Sequence, residues 1–191
     1  MRFNKSLVTS AVFALFAANA FAAEMNAGKI HFTGEIIEPS CTIDGDNGTD
    51  STIPLGTFPT SLFDTVGKES KLKPFAIKLA DCPIASDGLA AVQLTFNGPT
   101  TLTGSSTLLD VSKITTTGDT AATGIGIAIS PDGENDKYIN VEGSENQVKV
   151  DLPTTKGDTV TAFFNARYKS FAAQVTAGPA DADLTVNILY R

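Results

Sequence analysis

The stretch GKIHFTGEIIEPSC, from Gly28 to Cys41, sets an apolar stripe with a gap in it just ahead of the first cysteine. Alternate residues of an extended chain share a face, which puts Ile30, Phe32, Gly34 and Ile36 on one side. Three of the four are large and apolar; the glycine weakens a strand and has nothing to pack. Such a stripe is either an ordinary first strand of its own fold or a piece shaped to fit against something else. The rest of the chain bears on that choice.

Upstream, Arg2 and Lys5 precede an apolar run from Leu7 to Ala18, followed by small residues. This is the charged, apolar and small-residue order of a secretory signal peptide, too short for a membrane span. Ala20 and Ala22 predict cleavage after Ala22, so residues 1–22 are set apart from the fold. The remaining residues amount to one domain by length. Loss of the two basic residues takes the formal charge from −7 to about −9, and an acidic chain is poorly suited to nucleic acid, which is held by neutralising phosphates. The two cysteines, Cys41 and Cys82, are expected to form a disulfide in an exported protein, with two buried free thiols as the alternative.

After the signal, short alternating runs replace any helical period. They are GKIHFTGEII, STIPLG, PFAIKLADC, AAVQLTFNG, TGIGIAIS, KYINVE, QVKVDL, TVTAFFNARYKSF and DADLTVNILYR. Turn-rich segments separate them, at Asp44, Asn97, Ser130, Glu142 and Ala177. Strands at this spacing predict an all-β, immunoglobulin-like antiparallel sandwich. Ser61 to Lys71 reads as a helical turn or a loop, and TTTGDTAATG near Thr115 as a flexible surface loop. Both mature ends carry apolar alternation where most domains fray. At the C-terminus Leu184, Val186, Ile188 and Tyr190 share a face, and no chain follows to form a hairpin with them. One side of that strand is therefore expected to stay unpaired, a hazard unless something covers it.

In this combination the sequence resembles the structural pilins of chaperone-usher fimbriae, particularly type-1-like major subunits. The resemblance covers essentially the whole mature chain. It rests on the stripe Ile30, Phe32, Gly34 and Ile36 followed by Cys41, on Leu79 to Cys82, on Phe96 to Gly98 and on Phe164 to Tyr168. Gly178 stands fourteen residues from the end, counted inclusively, and Tyr190 is penultimate. The resemblance implies an incomplete immunoglobulin-like β-sandwich, a pilin fold missing its last strand, completed by a donor strand from another subunit. Residues 23–37 would be the donor-strand extension and 38–191 the pilin domain, with Gly34 placed where donor and acceptor approach too closely for a side chain. Gly178, Leu184, Val186, Ile188 and Tyr190 would line the groove that a chaperone fills first. Arg191, a cation beside that chaperone's expected basic anchors, departs from the pattern.

The implied function is a shaft subunit of a fimbria that supports cell adhesion. The alternatives are a minor adaptor subunit or a pilin that itself binds a host receptor. Implied partners are like subunits in a homopolymer, a periplasmic pilus chaperone, an outer-membrane usher, and tip or adaptor subunits. The implied route runs through the periplasm to the cell surface. No cofactor is expected. Catalysis lacks a base beyond His31, itself expected to be an exposed residue of the donor strand, and a metal site lacks ligands. The acidic run from Asp44 imitates a calcium loop, but Thr49 and Leu55 occupy the positions that need Gly and Glu. The Asn47 acceptor pattern is read as a turn.

Overall fold

A computed structural model describes residues 28–34, 36–38 and 40–191. The signal-peptide reading of residues 1–22, the beginning of the arm and positions 35 and 39 lie outside the described residues. The chain divides into two units, Met1–Ile36 and Ile37–Arg191.

The larger unit is built from eight strands: β1 (Thr42–Ile43), β2 (Lys73–Ala80), β3 (Ala91–Asn97), β4 (Leu109–Asp110), β5 (Ile125–Pro131), β6 (Val148–Asp151), β7 (Val160–Ser170) and β8 (Thr185–Tyr190). A single 3-10 turn, Thr60–Phe63, occupies the segment expected to be a helical turn or loop and buries Phe63. One sheet has the order β1-β2-β7-β5-β4 and the other β6-β3-β8. All pairings are antiparallel.

Alternation decides which side chains enter the core. On β3, Val92, Leu94 and Phe96 are fully buried and stand opposite Tyr190, Ile188 and Val186 of β8. From the larger sheet Ile77, Leu79, Ile125, Ile127, Ile129, Phe164 and Ala166 belong to the same apolar cluster. Phe164 meets Phe96 edge-on, with ring centroids 5.7 Å apart, and stacks on Phe75 at 5.4 Å. Aromatic pairs in these arrangements add about 0.5–1.5 kcal/mol to the gain from burial. Cys41 and Cys82 form a disulfide that closes 41 residues of sequence separation. Loop-closure entropy puts its contribution at about 4 kcal/mol.

Three expected runs take other forms. Residues 51–56 (STIPLG) form no strand. KYINVE buries Ile139 and Val141, but bonds singly to Ile129 and Ser106 instead of forming a ladder. The described part of GKIHFTGEII contains no strand either. The loop near Thr115, expected to be flexible, is tied down. The Asp181 carboxylate accepts the amides of Ile114, Thr115 and Thr116 at 3.1, 2.7 and 2.7 Å, and the Thr116 hydroxyl at 2.5 Å.

The outer face of β7 carries a charged cluster. Arg167, about 2% exposed, holds Glu69 through its Nε at 2.9 Å and donates to the Asn135 carbonyl. Lys169 reaches Glu69 at 3.0 Å, and the Tyr138 hydroxyl donates to the same carboxylate. Burial alone would raise the Glu69 pKa; the Tyr138 hydroxyl and the two cations outweigh it and hold the group ionised. The cluster fastens the segment between β5 and Tyr138 over the sheet.

Candidate functional site: the exposed arm and the edge of β8

Strand β8 occupies the edge of the smaller sheet, with β3 on one side and no strand on the other among the described residues. Leu184, Val186, Ile188 and Tyr190 share the face that packs on the core, as their alternation predicts. They are only half-buried, whereas Val92, Leu94 and Phe96 opposite them are fully buried. The apolar layer is therefore fully covered along β3 and only partly covered along β8. An edge of this kind presents both open main-chain groups and apolar side chains to a partner.

The segment that leads into β8 lines a cavity of about 590 Å³. It is lined by Phe58, Phe63, Tyr168 and the segments 116–120 and 175–181. Tyr168 donates to the Ala180 carbonyl at 3.0 Å, and burial together with the Asp181 charge raises its pKa. Gly178 sits on the wall of this cavity. A methyl group at that position would overlap the Thr120 carbonyl oxygen and the Ala122 amide, while the Ala122 N–H donates to the Pro179 carbonyl at 2.8 Å. Gly178 thus allows two backbone segments to lie against each other, a close approach that its place in the sequence did not reveal.

At the other end of β8 the Tyr190 hydroxyl accepts the Cys41 amide at 2.7 Å. No sequence pattern announces this bond, which spans 149 residues. Arg191 turns aside to pair with Glu145 at 2.7 Å, an exposed ion pair. The cation that departs from the expected pattern is thereby partly neutralised by its own chain.

In the smaller unit, Ile30, Phe32 and Ile36 are 82%, 92% and 99% exposed, and a Cβ at Gly34 would meet nothing within 4 Å. His31 is exposed as well. Nothing in the described environment of Gly34 requires a glycine, and three large apolar side chains stand in water. Among the described residues no group of His, Cys, Asp and Glu is arranged to hold a metal ion, and no described helix is long and apolar enough to cross a membrane.

The family model for fimbrial proteins matches residues 30–191. A type-1 fimbrial protein subunit of Serratia marcescens is 39% identical over 92% of this chain and 91% of its own length. Long polar fimbria protein A of Salmonella typhimurium is 35% identical over 97% and 98% of the two chains. Among solved structures, the P pilus rod subunit PapA matches with a TM-score of 0.60 at 27% identity, covering 80% of this chain and 99% of that one. A chain from a chaperone-usher pilus, in a study of how its rod uncoils, matches with a TM-score of 0.57 at 26% identity, over 88% and 98%.

Proposed function

Because the chain belongs to the fimbrial protein family, a family of structural subunits of chaperone-usher pili and not of enzymes, we propose that it polymerises by donor-strand exchange. The arm, residues 23–37, leaves its own subunit and lies along β8 of the next. There Ile30, Phe32 and Ile36 fill the uncovered part of the apolar layer, and Gly34 lets the two backbones meet closely. The single observation that carries this reading is the pair of complementary deficits in one chain. The arm has a stripe of bare apolar side chains, and β8 has an apolar face that its own chain covers only in part.

Burial of the three side chains would contribute roughly 1.5–3 kcal/mol each, and main-chain bonds along the β8 edge would add to that. Arm and edge are different surfaces, so the contact is head-to-tail and propagates as a filament instead of closing. On this reading Gly178 keeps the entrance to the groove in shape, and Leu184, Val186, Ile188 and Tyr190 line it. A periplasmic chaperone would cover the same face before an outer-membrane usher passes the subunit into the shaft. The chain matches subunit-sized relatives nearly end to end, which favours a shaft role supporting adhesion.

The test is to purify the mature chain with and without residues 23–37 and compare size and heat stability. Detergent-resistant ladders from the intact chain and monomers from the shortened one are expected. Ladders of equal length from both would overturn the reading.

A further inference from the structure

Within the larger unit, residues 40–43 are held by several attachments. The Ser40 hydroxyl donates to the Asp81 carbonyl at 2.6 Å. The Cys41 amide donates to the Tyr190 hydroxyl at 2.7 Å, and the Cys41 sulfur is bonded to Cys82. Next comes β1, which pairs with β2 over only two residues, Thr42↔Ala80 and Ile43↔Leu79. Cys82 lies two residues beyond the end of β2 in the five-stranded sheet, whereas Tyr190 ends β8 in the three-stranded sheet. One residue, Cys41, is thus tied by a covalent bond beside one sheet and by a hydrogen bond to the other.

We propose that Tyr190 and the Cys41–Cys82 disulfide form a load-bearing joint, which passes tension entering through the arm into both sheets at once. This rests on the donor-strand reading, in which a fibre is pulled through residues 38–41 of each subunit and gripped along β8. Without the Tyr190 bond, the load would reach β8 only by crossing the five-stranded sheet and the core. With it, the load passes from Cys41 straight to the strand that holds the next arm. β8 is suited to receive it, since it pairs with β3 over a six-residue register whose bonds would share the force. The two-residue β1 could not bear that load alone. Tyr190 is then a positioning residue at the hinge between links, in addition to being an apolar wall of the groove.

The test uses fibres assembled from the full chain and from Tyr190→Phe, which keeps the ring and deletes only the acceptor oxygen. Under constant force the variant's subunits should fail with a lifetime roughly three- to tenfold shorter, the effect of losing one neutral hydrogen bond. Assembly and melting of unloaded fibres are measured alongside, and a loss of lifetime that grows with the applied force separates a load path from a general loss of stability. Amide exchange at Cys41 should accelerate by a similar factor while β3 amides stay protected. Unchanged lifetimes together with unchanged exchange would overturn the joint. If the variant does not assemble, exchange on the chaperone-bound subunit decides: lost protection at Cys41 supports the joint and retained protection refutes it. Failure of the donor-strand reading would show separately, as arm-deleted chains entering fibres as readily as intact ones.

Discussion

Replacing Phe32 with Ala isolates the largest single contribution expected from the arm. Phe32 is 92% exposed in its own chain, so the truncation removes almost no packing there, and the folding of the larger unit should be untouched. In a neighbour's groove the ring would lie against the apolar face of β8, where full burial contributes roughly 1.5–3 kcal/mol. Loss of about 2–3 kcal/mol would weaken arm insertion roughly 30- to 150-fold. The assay is competition between chaperone-bound subunits and synthetic peptides of residues 28–37, native or with Ala at 32, followed by chaperone release. Thermal unfolding of the larger unit serves as the control. The reasoning fails if both peptides displace the chaperone equally well, or if the variant full-length chain polymerises at the native rate.

Gly34→Leu should leave subunit stability unchanged, since a side chain there meets nothing within 4 Å, and should sharply reduce fibre yield; native yield would refute the close approach. Gly178→Ala should behave in the opposite way, lowering stability by about 1–3 kcal/mol through overpacking, or roughly 2–12 °C in Tm by calorimetry. For Asp181, the Thr116 hydroxyl and amide, followed by the Thr115 and Ile114 amides, outweigh burial and hold the carboxyl far below its usual range. A depressed folded pKa means that this stabilisation is complete above the unfolded value of about 4 and is lost as pH falls through the folded value. Asp181→Asn should therefore be less stable than the native chain at pH 7, with the gap narrowing in strong acid, as followed by thermal melts across pH.

The sandwich was legible because its central strands obey a period of two. Residues 74–82, 90–98, 123–130, 147–152, 159–171 and 181–191 each cover all but at most one residue of a strand of the structure. What failed was the inference from alternation to pairing. Ile139 and Val141 alternate and are buried, yet their amides find carbonyls on two different segments, and a ladder needs consecutive bonds to one partner. Leu109–Asp110 went unnoticed because two residues carry no period. The Asp181 clamp on the Thr115 loop joins groups 65 to 67 residues apart, and local turn chemistry says nothing about such distances. An arginine within an apolar strand was the visible signal for the Arg167 cluster, but its partner Glu69 lies 98 positions away, inside a segment that reads as loop. The Tyr190 face could be read from spacing; its bond to Cys41 could not.

The segment between β5 and Tyr138 is fixed at few points. Asn165 donates to the side chains of Asp132 and Asn135 at 2.9 and 3.0 Å, Arg167 grips the Asn135 carbonyl, and both cations lie against the Tyr138 ring. Between these points Gly133, Glu134, Asp136 and Lys137 are exposed, and the Glu134–Lys137 pair reaches no other element. Anchorage and display are thus divided among different residues of a single loop. Its crest can be rewritten, or lengthened by an epitope, while the scaffold beneath it keeps its shape. In a polymer built from many copies, such a crest would be repeated at every step, turning a minor surface excursion into a dense, orderly array of whatever peptide it carries.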